Sequence, residues 1–223
     1  MRPLTLLGLS RCSCALVIAG IIGVSLQNQV YGAILGLGEG TPDISSLCVT
    51  VSYNDDTMDF KAEGWSYCID LDNEGAPEEW IYDGHFEINA NINNAGILQP
   101  GGTLEIYEDY STAMPRLVLG GNLTQFGFDP AGKGVFEFVA NNLSAHADYA
   151  HIVSAFGAEA AVIISGTNAA FSGSFSEPFS YTDWNGNSDV FPHVPEPASL
   201  VIWMLGFVVA SAARYRCSRG LVT

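Results

Sequence analysis

The chain has 223 residues, with 24 acidic and 8 basic side chains. Between residues 33 and 197 only Lys61, Arg116 and Lys133 stand against all 24 carboxylates, a net charge of −21. Such a field repels phosphate backbones and excludes nucleic acid as a partner; it favours solubility and attracts cations.

The first 32 residues have the layout of a secretory signal peptide. Arg2 and Arg11 form a short positive region, Cys12 to Leu26 is apolar, and Val30-Tyr31-Gly32 offers small residues for a signal peptidase. Arg11 directly before Cys12 argues against a lipid-anchored cysteine, since a small neutral residue belongs there. A linker is expected over 33–44.

Residues 45–180 read as one all-β domain, an antiparallel β-sandwich or flattened barrel with one short helix. In LCVTVSY the apolar parity is Leu47, Val49, Val51 and Tyr53; in HFEINANIN it is Phe86, Ile88, Ala90 and Ile92; in GTLEIYE it is Leu104 and Ile106. Alternation with one apolar face marks half-buried antiparallel strands. AFSGSFS, with Phe171 and Phe175 against serines, reads the same way, and Ala160 to Ile164 reads as a strand covered on both faces. Turn signals fall at Asn54-Asp55-Asp56, Gln99 to Gly102, Leu119 to Asn122 and Asp129 to Gly132. Leu143 to Phe156, closed by Gly157, is the helix candidate, with Asn142 or Ser144 as its cap. Residues 181–193 are expected to be an acidic and polar linker.

Cys48 and Cys68 are the only cysteines of the exported part and are a candidate disulfide. Two hairpin registers compete. Pairing 47–53 with 65–70 lets the cysteines meet, whereas a tight turn over 54–57 pairs 47–53 with 58–62 and keeps them apart. Asp70, Asp72 and Glu74, followed by Gly75, resemble the start of a calcium loop, but the twelfth position is Ile81 where a bidentate acid belongs. Asp183, Asn185, Asn187 and Asp189 form a second alternating oxygen set, with Gly186 at the wrong offset. No other cofactor is expected. His146 and His151 are five residues apart, which on a helix separates the imidazoles and argues against zinc. Neighbouring Glu78 and Glu79 point opposite ways on a strand and make no glycosidase pair. Trp65, Trp80 and Trp184 can stack on sugars, though core or rim positions are the commoner use of such rings. No Gly-x-Ser-x-Gly or phosphate-cradling glycine loop occurs, so no catalytic activity is expected.

The last segment is the most specific. Val194-Pro195-Glu196-Pro197-Ala198-Ser199 is followed by sixteen uncharged residues, Ala198 to Ala213, and then by Arg214, Arg216 and Arg219. The prolines favour an extended stretch, and the arginines hold the C-terminal side of a membrane helix in the cytoplasm. The three parts, over 194–220, resemble the PEP-CTERM sorting signal. That resemblance implies recognition of Pro195, Glu196 and Pro197 by exosortase, removal of the tail, and delivery to the cell surface or extracellular matrix beside exopolysaccharide. Signal peptidase and exosortase are then the expected partners, with the membrane a transient one. Leu47 to Phe175 is also loosely similar to ectodomains that precede such tails, in Val-Ser-Tyr-Asn and Phe-Ser-Gly-Ser-Phe; this implies a β fold and no activity.

Overall fold

The structure, a computed structural model, describes residues 34–38, 40–72, 76–166, 171–181 and 186–193. The signal segment, the sorting tail with Pro195, Glu196, Pro197, Arg214, Arg216 and Arg219, and also Glu74, Asp183, Trp184 and Asn185, lie outside the described residues. Among the described residues, no helix is long and apolar enough to cross a membrane.

Ten strands follow in order: β1 (Asp43–Asn54), β2 (Asp59–Asp70), β3 (Glu79–Trp80), β4 (His85–Asn91), β5 (Thr103–Glu108), β6 (Arg116–Phe128), β7 (Val135–Ser144), β8 (Glu159–Ser165), β9 (Phe179–Tyr181) and β10 (Asn187–Pro192). Between β7 and β8 lie a 3-10 turn, Ala147–Tyr149, and helix α1, Ala150–Phe156. Eight strands pair antiparallel in the order β2-β4-β5-β6-β7-β8-β10-β1, and β1 pairs with β2, so the sheet closes into a barrel. Short β3 extends one edge of β2 and β9 one edge of β1.

The alternating runs supply the barrel interior. Phe86 and Ile88 from β4, Leu104 and Ile106 from β5, Phe136 and Phe138 from β7, and Val162 and Ile164 from β8 are fully buried in one cluster. Each such side chain contributes roughly 1.5–3 kcal/mol when buried, and eight strands leave an interior that side chains fill. Ala160 to Ile164 is the covered strand expected, with only Ile163 partly open.

One barrel end is plugged by aromatic rings. Phe175 stands in contact with Tyr53, Phe126, Phe128, Phe136, Phe171 and Phe179 at centroid separations of 4.9 to 6.4 Å. Phe171 and Phe175 are therefore core, as their parity suggested, but they sit in an irregular segment rather than a strand. At the other end Tyr149, Ile152 and Phe156 join the core from the helix side.

Several expected boundaries move. The helix is half the expected length: Leu143 and Ser144 belong to β7, and His146, not Asn142 or Ser144, caps the 3-10 turn through Nδ1 and the Asp148 N–H. Leu119 to Asn122 is no turn but the middle of β6. Gly121 is needed there for close approach, because a Cβ would stand 2.9 Å from Leu143 and 3.0 Å from the Asn141 carbonyl. The expected linker at 181–193 contains β10, which fills the gap between β8 and β1, and the linker at 33–44 already holds the start of β1. In β1, Cys48 adopts a positive φ of 55° and interrupts the register between Leu47 and Thr50. That bulge turns Leu47 outward, to 42% exposure, while Val49, Val51 and Tyr53 stay inside.

Candidate functional site

Side chains capable of binding gather on the outer surface of β1, β2, β3 and β10, toward the helix end of the barrel. The β1–β2 hairpin turns at residues 55–58 and stays paired out to Asp43↔Asp70. A second irregularity skips Tyr67: Ser46 pairs with Ser66, then Ser45 with Cys68. Tyr67 shares the outer face with Trp65 by ordinary alternation, and as the extra residue of the bulge it brings Cys68 opposite Ser45; Ser46 and Ser66 face in and share a 2.8 Å hydrogen bond. β3 then pairs Trp80 with Cys68. The result is a row of rings: Trp65 and Tyr67 lie 6.2 Å apart and Tyr67 and Trp80 6.4 Å apart. Trp65 is 51% and Trp80 55% exposed.

Carboxylates border this row. Asp43 in β1 accepts the Ser45 hydroxyl at 3.1 Å through Oδ2, and the same hydroxyl lies 3.4 Å from Asp189 of β10. Asp43 Oδ1 is buried without a hydrogen-bond partner. Burial, reinforced by the charge of Asp189 and more weakly by Asp70, pushes the Asp43 carboxyl up to about 6, against the Ser45 hydroxyl and the Val190 N–H. Burial also raises the Tyr67 phenol, which bonds Ser45 and feels Asp189.

Next to Asp43 lies the expected calcium loop. Ligand oxygens of Asp70, Asp72 and Glu78 fall within 4.8 Å of one another. Glu78, which the sequence reading did not count among the ligands, joins the two aspartates: its Oε2 accepts the Leu71 N–H at 2.6 Å, and the Asp72 N–H donates to Asp70 Oδ1 at 3.2 Å; Glu74 lies outside the described residues. These three carboxylates, two of them exposed, are the ligand groups that converge here among the described residues, where calcium takes six to eight oxygens. In the second oxygen set, Asn187 accepts from Ser165 and Asp189 turns toward Ser45, so these two do not converge.

The two cysteines are free thiols. Neither competing register holds alone, because β2 is one strand that pairs with β1 through both of its halves. Cys68 faces Ser45, three positions from Cys48, which is ~10 Å along a ladder and beyond disulfide reach. The histidines take separate partners: His151 Nε2 meets Glu79 at 2.7 Å and His146 meets Asp148 at 3.4 Å.

A second polar group went unread in the sequence. Glu108 at the end of β5 is buried and accepts from the Tyr149 hydroxyl, the Arg116 guanidinium and, at 3.3 Å, the Tyr82 N–H. Arg116 also reaches Asp109 at 2.9 Å and Asp148 at 3.3 Å. Burial and the Glu108 carboxylate drive the Tyr149 phenol far up. Every partner here is engaged, and the network ties the 109–116 loop to the helix; it offers no reacting group. Its only sequence signal was the lone arginine of β6 among acids. Two open grooves of about 390 and 430 Å³ flank Asp59 and Lys61 at the aromatic-plugged end, one bordered by Tyr53 and Phe179, the other by Asn89, Asn91 and Pro100.

No family model, curated protein or solved structure matches the chain.

Proposed function

We propose that this chain is an exported, non-catalytic protein displayed at the cell surface or in the extracellular matrix after exosortase removes its tail. The observation that carries the reading is a sequence order: Pro195-Glu196-Pro197, an uncharged apolar segment, then Arg214, Arg216 and Arg219, in a chain whose first residues have a signal-like layout. An acidic closed barrel with a packed interior suits display: its charge keeps neighbours apart, and side chains fill its lumen. Pro195, Glu196 and Pro197 are substrate features for the processing enzyme.

The test is the intact mass of the protein from its native cell surface, with and without Glu196→Ala. A wild-type chain ending near residues 194–198, with tail-bearing protein accumulating in the variant, supports the proposal. A wild-type chain running to Thr223 overturns it in favour of a plain membrane tether.

A second reading, a carbohydrate-binding module delivered by the same signal, is favoured by exposed Trp65 and Trp80 joined in one row through Tyr67.

A further inference from the structure

This inference rests on that second reading and names the ligand. Trp65 and Trp80 are bulky rings left half-exposed on rigid strands, with exposed Leu47 as the cross-strand partner of Trp65. Two exposed rings joined through half-buried Tyr67 at 6.2 and 6.4 Å, rather than scattered singly, mark a contact surface. Indole and phenol faces accept the C–H faces of sugars, and their negative quadrupole attracts cations.

The carboxylates choose among glycans. Asp43 and Asp189 share the Ser45 hydroxyl, which Tyr67 also bonds, so they adjoin the middle of the row; Asp70 is the cross-strand partner of Asp43. The Asp43 carboxyl accepts the Ser45 hydroxyl and the Val190 N–H, and its Oδ1 atom is buried with no hydrogen-bond partner among the described residues. An acidic glycan would be repelled both here and by the domain's net −21. A neutral glycan uses the rings and leaves the charge idle. A glycan with protonated amino groups uses both: sugar faces on the rings and an ammonium on the carboxylates. We propose that the Trp65–Tyr67–Trp80 row, with Asp43, Asp70 and Asp189, binds a polymer of amino sugars carrying free, protonated amines.

The experiment titrates the full chain, purified in non-ionic detergent, with three probes at a pH that protonates the amines. The probes are a glucosamine hexasaccharide, its fully N-acetylated form and a glucose hexasaccharide; tryptophan fluorescence and calorimetry read the binding. The variants are Trp65→Ala with Trp80→Ala, exposed sites that leave the core intact, and Asp55→Asn with Asp56→Asn in the hairpin turn at the opposite end. The proposal expects the free-amine probe to bind at least tenfold more tightly than the other two. It also expects at least a tenfold loss in the tryptophan variant with an unchanged melting temperature, and none in the turn variant. Equal affinity for the N-acetylated probe overturns the amine assignment while the carbohydrate reading stands. Equal losses in both variants overturn it in favour of diffuse charge attraction. Binding of no probe overturns the carbohydrate reading itself.

Discussion

Removing the charge of Asp43 is expected to stabilise the protein at neutral pH. Burial, with the charges of Asp189 and Asp70, opposes ionisation of the Asp43 carboxyl and pushes it up to about 6 in the fold from an ordinary 3.8. A raised carboxyl pKa means that the folded chain holds this proton after the unfolded chain has released it. Below about pH 4 both states are protonated and the group costs nothing; between about 4 and 6 stability falls as pH rises, and above that the full cost is present. Two units at 1.36 kcal/mol per unit set a ceiling of about 3 kcal/mol. Because Asp43 is only partly buried, solvent screening reduces the expected effect to about 1–2 kcal/mol. Asp43→Asn keeps the shape and an oxygen for Ser45 while removing the charge. Urea unfolding followed by tryptophan fluorescence, at pH 4, 5, 6 and 7.5, should show the variant more stable by that amount at pH 7.5 and the two proteins converging at pH 4. The other carboxylates of the chain titrate in both proteins, so the difference between them isolates this site. A pH-independent difference, or a variant less stable at pH 7.5, would refute the reasoning.

Phe175→Ala should cost about 3–5 kcal/mol in the same unfolding assay, because it empties the centre of a ring cluster that is almost fully buried; a loss under 1 kcal/mol would mean that the plug is not packed as described. Mass mapping after alkylation without reductant should find Cys48 and Cys68 each modified in the unfolded chain. In the folded chain Cys48 should react before Cys68, whose thiol is buried and pushed up by that burial. A peptide pair linked through the two cysteines would contradict the geometry.

How much of this was legible in the sequence depended on the length of each pattern. β4 and β5 are uninterrupted alternations, and Phe86, Ile88, Leu104 and Ile106 all face inward as their parity requires. β1 was legible only in part, since no residue type announces that Cys48 will adopt a positive φ and reverse the side that Leu47 faces. Gly120-Gly121 looked like a turn because glycine serves both tight turns and close strand approach, and only the partner strand decides. β10 was hidden because Ser188 faces the interior in place of an apolar residue and the strand is six residues long. Of the candidate site, Trp65 and Trp80 were visible individually. Their joining depends on the two-residue pairing of β3 with β2, a tertiary contact that local patterning does not encode. The place of Glu78 beside Asp70 and Asp72 has the same origin, a contact with the Leu71 N–H just past β2 that local patterning does not encode.

The position of β10 has a mechanical consequence. The last described strand lies between two neighbours, paired at four positions with β1 and at six with β8. Its C-terminal end, at Pro192, leads straight to the tail. A pull on anything attached beyond His193, directed along the strand, loads both ladders in shear. Their hydrogen bonds run across the strands and so resist together instead of parting one at a time as in a peeled edge. The domain is therefore gripped at its C-terminal strand, and a pull along that strand must break two ladders at once.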